Sequence, residues 1–380
     1  MFVREIENTL KKVPKTARAI ALIGPRQSGK TTLSKTQFPD HQYFSLENPN
    51  IQSRALEDPV GFLKSISEHC ILDEVQNAPE LLSYLQEILD DKSDKRQFVL
   101  TGSNSFQLNE KISQSLAGRI RIFTVLPFLR SEIPENLQPK DLDAALWTGS
   151  YPRIYDEGLP PQEWIADYYN TYVQKDVRTL LNVSDLTQFD RFIRICAGRC
   201  GRLSEFSSIA SEVGVSQPTA VRWASILEAS FILFRLQPHF KNFNKRIIKS
   251  PKLYFYDTGL LCFLLRIQTP EQLSTHPLRG EIFENWVISE YFKLNFSRGK
   301  EPPLYFWRDQ HGHEVDLVID ASDHLFPIEI KSSASFSTDW GQNLTWFNKL
   351  QNFNESMVVY GGDESFKFKE MEVKSWKSIL

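Results

Sequence analysis

Three groups of residues in this chain have the types and spacing to do chemistry. The first is Gly24-Pro25-Arg26-Gln27-Ser28-Gly29-Lys30-Thr31, followed by Thr32. Its glycines let the backbone approach an anion closely, Lys30 carries a charge for phosphate oxygens, and the Thr31 hydroxyl can meet a hard cation. The second is Asp73-Glu74, which ends the apolar run "HCIL". One carboxylate there can hold a cation through water while the other polarises an attacking water. The third lies in the last third of the chain: Glu284 or Glu290 in "GEIFENWVISEYF", then Asp316 in "EVDLVID", then Glu329-x-Lys331 in "LFPIEIKSSA". An i, i+2 pair shares one face of a strand, so Glu329 and Lys331 point the same way. Asp316 and Glu329 could bind a divalent cation while Lys331 orients water, and Glu314 is one pleat from Asp316.

The elements that must position the first two groups are visible around them. "AIALIG" (19–24) has the uninterrupted apolar character of a buried parallel strand, and "KTTLSKTQF" after the loop is helical. Strand, turn and helix N-terminus is the order in which loop N–H groups ring phosphates, and Lys30 then reaches the β and γ phosphates. ATP with Mg²⁺ is the expected ligand pair. "RQFVLTGSNSF" (96–106) supplies another strand, ending in a polar group suited to sense a γ-phosphate; Asn104 is the candidate and Ser103 the rival.

With "YFSLENP" (43–49), "ILDEVQNAP" (71–79), "LTGSNS" (100–105) and "SLAGRIRIFTVLPF" (115–128), these motifs resemble a prokaryotic AAA+-type P-loop ATPase family. That group carries a C-terminal domain of unknown function related to restriction-endonuclease folds, the PD-(D/E)xK type. The resemblance covers nearly the whole chain. It implies an ATPase whose nucleotide state controls how the C-terminal parts engage DNA or a partner. Arg119 in "LAGRIRIF" could be an arginine finger on a neighbouring copy, with Arg121 an equal alternative.

The middle of the chain is punctuated by prolines, and "LWTGSYPRIYDEG" (146–158) has the composition of a turn-rich connector. "EWIADYYNTYVQKDVRTLLNV" (163–183) has helical spacing, its aromatic stripe expected in a core. "LSEFSSIASEVGVSQPTAVRWASILEASFILFRL" (203–236) has a helix-turn-helix pattern with Ser216 as N-cap and Pro218 in the first turn. With "KLYFYD" (252–257) as a second strand it makes a winged helix. Gln217, Thr219 and Arg222 are candidate DNA contacts, as are Lys245, Arg246 and Lys249 among the five cations of "KNFNKRIIKSPK" (241–252). "GEIFENWVISEYFKLNF" (280–296) is expected as an amphipathic helix, and "PLYFWRDQHGHEVDLVID" (303–320) as a hairpin with His311 and His313 in its turn.

The expected fold class is therefore α/β: a P-loop ATPase domain at 1–130, a helical lid or linker at 131–185, a winged helix at 186–272 and a restriction-endonuclease-like domain at 273–380. With 380 residues, 41% of them hydrophobic, the chain can fill several cores. A net charge of −3 excludes a global basic field, so any nucleic-acid contact must be a local patch. Four scattered cysteines make no disulfide framework. The charged start is no signal peptide, and the longest apolar runs are too short to span a membrane. A cytoplasmic ATPase, with DNA, a protein or further copies of itself as partner and no membrane, is the expectation.

Overall fold

The structure is a computed structural model describing residues 2–14, 16–103, 111–112, 114–177, 186–239 and 250–380, the side chains of 174–177 and 186 excepted. The first sheet contains β1 (Ala19–Gly24), β2 (Gln42–Ser45), β3 (Cys70–Asp73), β4 (Phe98–Ser103) and β5 (Ile120–Thr124), all parallel in the order β2-β3-β4-β1-β5. Alternate residues serve opposite faces. Ala21, Ile23, Leu72 and Leu100 pack with Phe62, Leu81 and Leu85 on one side; Ile20, Leu22, Ile71 and Val99 pack with Ile6, Leu10 and Leu33 on the other. Burial on both faces explains why β1 and β4 are apolar without alternation. Because β4 lies between β1 and β3, Gly24 and Asp73 stand at the same carboxyl edge of the sheet, where parallel α/β sheets bind ligands.

The segment expected as a turn-rich connector instead contains two short helices, Leu142–Thr148 and Pro152–Asp156. Pro152 occupies the first turn, where its missing N–H costs nothing, so it starts a helix rather than breaking one. The aromatic stripe is core as expected: Tyr151, Trp164 and Tyr168 form one tilted and stacked cluster. Tyr169–Val177 continues as a π-helix.

Helices Phe206–Val213 and Gln217–Ala229 follow, with Ser216 accepting from Thr219 N at the second helix's start. Trp223 meets Phe189 and Phe192 edge-on beneath them. An antiparallel pair, β6 (Leu233–Leu236) and β7 (Lys252–Phe255), lies alongside.

The last sheet has six strands. Its strands are β8 (Leu304–Arg308), β9 (Glu314–Asp320), β10 (Leu325–Lys331), β11 (Ser356–Tyr360), β12 (Phe366–Phe368) and β13 (Met371–Ser375). Their order is β12-β13-β11-β10-β9-β8; β8, β9 and β10 are antiparallel, β10, β11 and β13 parallel, and β12 antiparallel to β13. The helix Gln342–Gln351 crosses between β10 and β11 and covers one face with Leu344 and Phe347. The other face receives the helix Arg279–Ser297. The helix is not amphipathic, contrary to expectation: Ile282, Asn285, Ile288 and Ser289 are buried along with Phe283, Trp286, Val287 and Tyr291, while Leu294 is only half-buried. It runs between β10, β5, β7 and the helix Glu5–Leu10, and a rod covered on all sides shows no apolar stripe.

Candidate functional site: the P-loop and a lysine-filled carboxylate cluster

β1 ends at Gly24, where a Cβ would stand 2.1 Å from Val125 O, so only glycine fits. Gly29 caps the helix Lys30–Gln37 in the left-handed region at φ 90°. Between them Gln27 also has positive φ, at 64°. Arg4 grips this loop from behind, with Nη1 donating to Ser28 O at 3.1 Å and Nη2 to Leu126 O at 2.7 Å. Its charge is matched by Glu132, 2.9 Å away and equally buried.

Lys30 is 4% exposed, and its Nζ donates to the loop's own carbonyl oxygens, Gly24 O at 3.2 Å and Pro25 O at 2.7 Å. Burial pushes its ammonium down to about 8; Glu74 and Asp73 oppose the shift and Arg26 adds to it. Thr31 Oγ1 donates to Asp73 Oδ1 at 3.0 Å, so the two expected cation ligands meet. Glu74, the next residue, has φ 58°, an uncommon conformation for a non-glycine residue, at the start of a 3₁₀ turn. Thr32 lines a cavity of ≈ 310 Å³ with apolar Phe2, Leu33, Phe128 and Pro152 and charged Arg4, Glu7 and Asp156. Arg26 lies over the Tyr172 ring, 5.4 Å from its centroid, and so ties the loop to the π-helix.

Two residues that sequence reasoning did not single out hold Asp73 in place. Tyr43 OH donates to Asp73 Oδ2 at 2.7 Å, and Thr101 Oγ1 donates to Asp73 Oδ1 while accepting from Glu74 N. Thr101, a polar residue within the buried apolar strand β4, gave a signal; Tyr43, on the exposed and partly polar β2, gave none. Asn104 lies outside the described residues; its rival Ser103 is buried and in register with Gly24. Arg119 grips both Asp90 oxygens with one guanidinium edge, Nε donating to Oδ1 at 2.6 Å and Nη2 to Oδ2 at 2.9 Å. It precedes Ile120, which aligns with Ala19, so it stands at the opposite end of the sheet from Gly24. Within one chain it cannot reach the loop.

On the helix Gln217–Ala229, Gln217 and Arg222 are exposed, while Thr219 is half-buried against Ser216. Lys245, Arg246 and Lys249 lie outside the described residues. Lys252, counted with them as a phosphate-straddling cation, is instead 2% exposed, because β7 starts there and is covered by the helix Arg279–Ser297.

That buried position brings Lys252 into the carboxylate group at the C-terminal sheet. Glu284, Asp316, Glu329 and Lys331 do converge. Lys331 Nζ lies 2.5 Å from Glu329 Oε1 and 3.8 Å from Asp316 Oδ2, which also accepts from Ile330 N. Glu284 Oε1 takes Lys252 Nζ at 3.0 Å and the Tyr254 hydroxyl. Burial raises the Glu284 and Glu329 carboxyls above the usual range; Lys252 opposes this at Glu284, and Asp316 reinforces it at both. Glu290 belongs elsewhere: fully buried, it pairs with Lys293 at 2.9 Å and accepts from Arg130 N. His311 and His313 sit in the β8–β9 turn, where His313 bonds Asp309.

Among known proteins, residues 16–133 match the AAA domain family. Residues 139–271 and 279–379 match two domains of unknown function, DUF8612 and DUF4143. Uncharacterised proteins of Mycobacterium tuberculosis and Mycobacterium bovis are each 29% identical over 382 residues, covering 97% of this chain and 82% of theirs. A Walker-type ATPase of Pyrococcus abyssi is 14% identical with a TM-score of 0.43, covering 69% of this chain and 95% of that one. RuvB of Thermotoga maritima is 18% identical with a TM-score of 0.32, covering 61% and 87%. Among the described residues no helix is long and apolar enough to cross a membrane. The parallel sheet and the loop at its carboxyl edge agree with the match of residues 16–133: this part of the chain is a P-loop ATPase-like domain similar to the AAA domain family.

Proposed function

We propose that the protein is a Mg²⁺-dependent ATP hydrolase whose nucleotide state is passed to a winged helix and a nuclease-like C-terminal domain that engage DNA. The observation that carries the reading is the meeting of Thr31 with Asp73, beside Glu74 and the buried Lys30. The residues suit the Mg²⁺–nucleotide pair: Thr31 and Asp73 are the hard-oxygen donors, and Ser28 Oγ is a buried hydroxyl without a partner. Bound there, Mg²⁺ would neutralise charge on the β and γ phosphates. Lys30 exchanges its two carbonyl acceptors for phosphate oxygens, and loop N–H groups complete the cradle. Glu74 draws a proton from the attacking water, its backbone fixed by Thr101. The cavity beside Thr32 takes the base, with Phe2 and Phe128 as its apolar walls. Arg119 acts only across a copy interface, which makes a homo-oligomer part of the reading.

Support for transmission is physical continuity. Ser28 O is held by Arg4, Arg4 by Glu132, and the adjoining Phe128 O and Arg130 N by Lys293 and Glu290 of the helix Arg279–Ser297. Support for DNA is the exposed Gln217 and Arg222 at the start of the second helix of a helix-turn-helix, with an antiparallel pair beside it. Support for the nuclease-like domain is the order helix, three antiparallel strands, helix, parallel strand, with the acidic set on it.

The C-terminal set does not fit a resident metal as folded. Lys252 and Lys331 already neutralise its carboxylates, and among the described residues no three His, Cys, Asp or Glu side chains are grouped to hold an ion. This favours a second reading, in which the nuclease-like domain is inactive and the protein is a nucleotide-switched regulator or scaffold for DNA or a protein partner.

Steady-state ATP hydrolysis with and without duplex DNA tests the first step. Glu74→Gln is expected to keep nucleotide binding and lose at least about 100-fold in rate. Equal rates in wild type and variant would sink the assignment of Glu74. Plasmid nicking with Mg²⁺ separates the two readings of the C-terminal domain.

A further inference from the structure

Glu74 opens the 3₁₀ turn Val75–Asn77, which Asn77 N closes by donating to Glu74 O at 3.0 Å and Ala78 N by donating to Val75 O at 3.1 Å. Val75 and Ala78 are buried in the core on one face of the first sheet, and Gln52 Nε2 donates to Asn77 O at 2.9 Å. Gln76 therefore stands on a pinned backbone. Its Nε2 donates to Glu74 Oε2. A carboxylate only accepts, so the amide must turn its NH₂ toward Glu74 and its oxygen away. That oxygen, Oε1, is buried, and among the described residues it has no hydrogen-bond partner. A buried acceptor left open is costly, and where the protein offers no donor a water fills the place. Gln76 thus joins the carboxylate of Glu74 on one side to an unclaimed acceptor on the other.

We propose that Gln76 is a further catalytic residue of ATP hydrolysis, its Oε1 accepting one hydrogen of the attacking water while its Nε2 aims Glu74 at the other. Two acceptors then fix both hydrogens of the water and leave a lone pair for the γ-phosphorus; orienting water is work that a side-chain amide can do in phosphoryl transfer. As the new O–P bond forms, the bond from the γ-phosphorus to the bridging oxygen breaks. ADP leaves with that electron pair, one proton passes to Glu74 Oε1, and the hydrogen held by Gln76 stays with the released phosphate. The inference rests on the reading of Glu74 as the base, and needs nothing from DNA or the C-terminal domain.

The test is steady-state ATP hydrolysis by the full-length protein, with affinity for ADP and for ADP with fluoroaluminate measured alongside. Q76M keeps the side chain's length and removes both hydrogen bonds; it is expected to lower kcat about 10- to 100-fold and to leave KM and ADP affinity within about twofold. Fluoroaluminate with ADP mimics the transition state, so its trapping is expected to weaken by a similar factor while ADP affinity holds, a split that a role in folding alone would not give. Q76E is isosteric with the native side chain and stands in if Q76M does not fold. It keeps the acceptor but has no hydrogen for Glu74, and kcat is expected to fall as far. E74Q combined with Q76M is expected to be no slower than E74Q, because both residues act on one water. An unchanged or raised kcat in Q76M or Q76E overturns the proposal, as does a change in KM alone or a double variant in which the two losses multiply in full. Those results, with E74Q inactive, leave Glu74 standing. E74Q as fast as wild type, or a wild type without hydrolysis, removes both.

Discussion

At the scale of single residues, the buried Lys30 sets how the loop responds to pH. Its ammonium is pushed from 10.5 to about 8 by desolvation. Phosphate oxygens would restore the charged form, so binding takes up a proton wherever the free amine is neutral. Nucleotide affinity is expected to be flat below pH 8 and to fall by up to about tenfold per unit above it. Titrations with a fluorescent nucleotide from pH 7 to pH 9.5, at fixed salt, check this. Stability has the opposite sign. The folded state releases this proton before the unfolded chain does, so the lysine's contribution to stability rises between about 8 and 10.5. Lys30 was legible from its motif, since the loop's geometry is local. Tyr43 and Thr101 were not, because what they hold is a carboxylate on a neighbouring strand.

At the scale of elements, the ion pair between Arg4 and Glu132 joins the helix Glu5–Leu10 to the segment after β5 and to the back of the P-loop. Removing one partner of a buried pair leaves the other charge unmatched. Arg4→Met is expected to destabilise the N-terminal domain by about 3–5 kcal/mol and to weaken nucleotide binding along with it. Urea unfolding followed with and without ATP measures both; an unchanged first transition would mean that the pair is not a tie. The strands of the first sheet were readable because burial on both faces gives short apolar runs. The helix Arg279–Ser297 was recognised as a helix but misjudged in its environment. Its Glu290 and Lys293 neutralise each other inside the packing, and no periodicity announces a helix covered on every side.

At the scale of the molecule, what matters is whether the nucleotide domain and the C-terminal parts act together. If the helix Gln217–Ala229 contacts duplex DNA, Arg222→Ala is expected to weaken gel-shift affinity and to lower the slope of log affinity against log salt by about one. An unchanged slope would remove Arg222 from the phosphate contacts. Lys293→Met tests the tie between the domains. It strands Glu290 without its ammonium and removes the bonds to Phe128 O and Ser150 Oγ, so any DNA stimulation of ATP hydrolysis is expected to disappear. Persistence of that stimulation would show that the signal travels elsewhere. The amino-acid sequence by itself determined the P-loop, the carboxylate pair of Asp73 and Glu74, the apolar strands β1, β3 and β4 beside them, and the Glu329-x-Lys331 pair on one strand face. Each of these is written in local pattern: a motif within one turn, an apolar run, or an i, i+2 spacing. Only the tertiary structure decided that Lys252 fills the space between Glu284 and Glu314, that Glu290 belongs to a different network, and that Arg119 faces away from its own P-loop. Those outcomes depend on which chain segments, far apart in sequence, are packed against one another, and residue spacing carries no record of that.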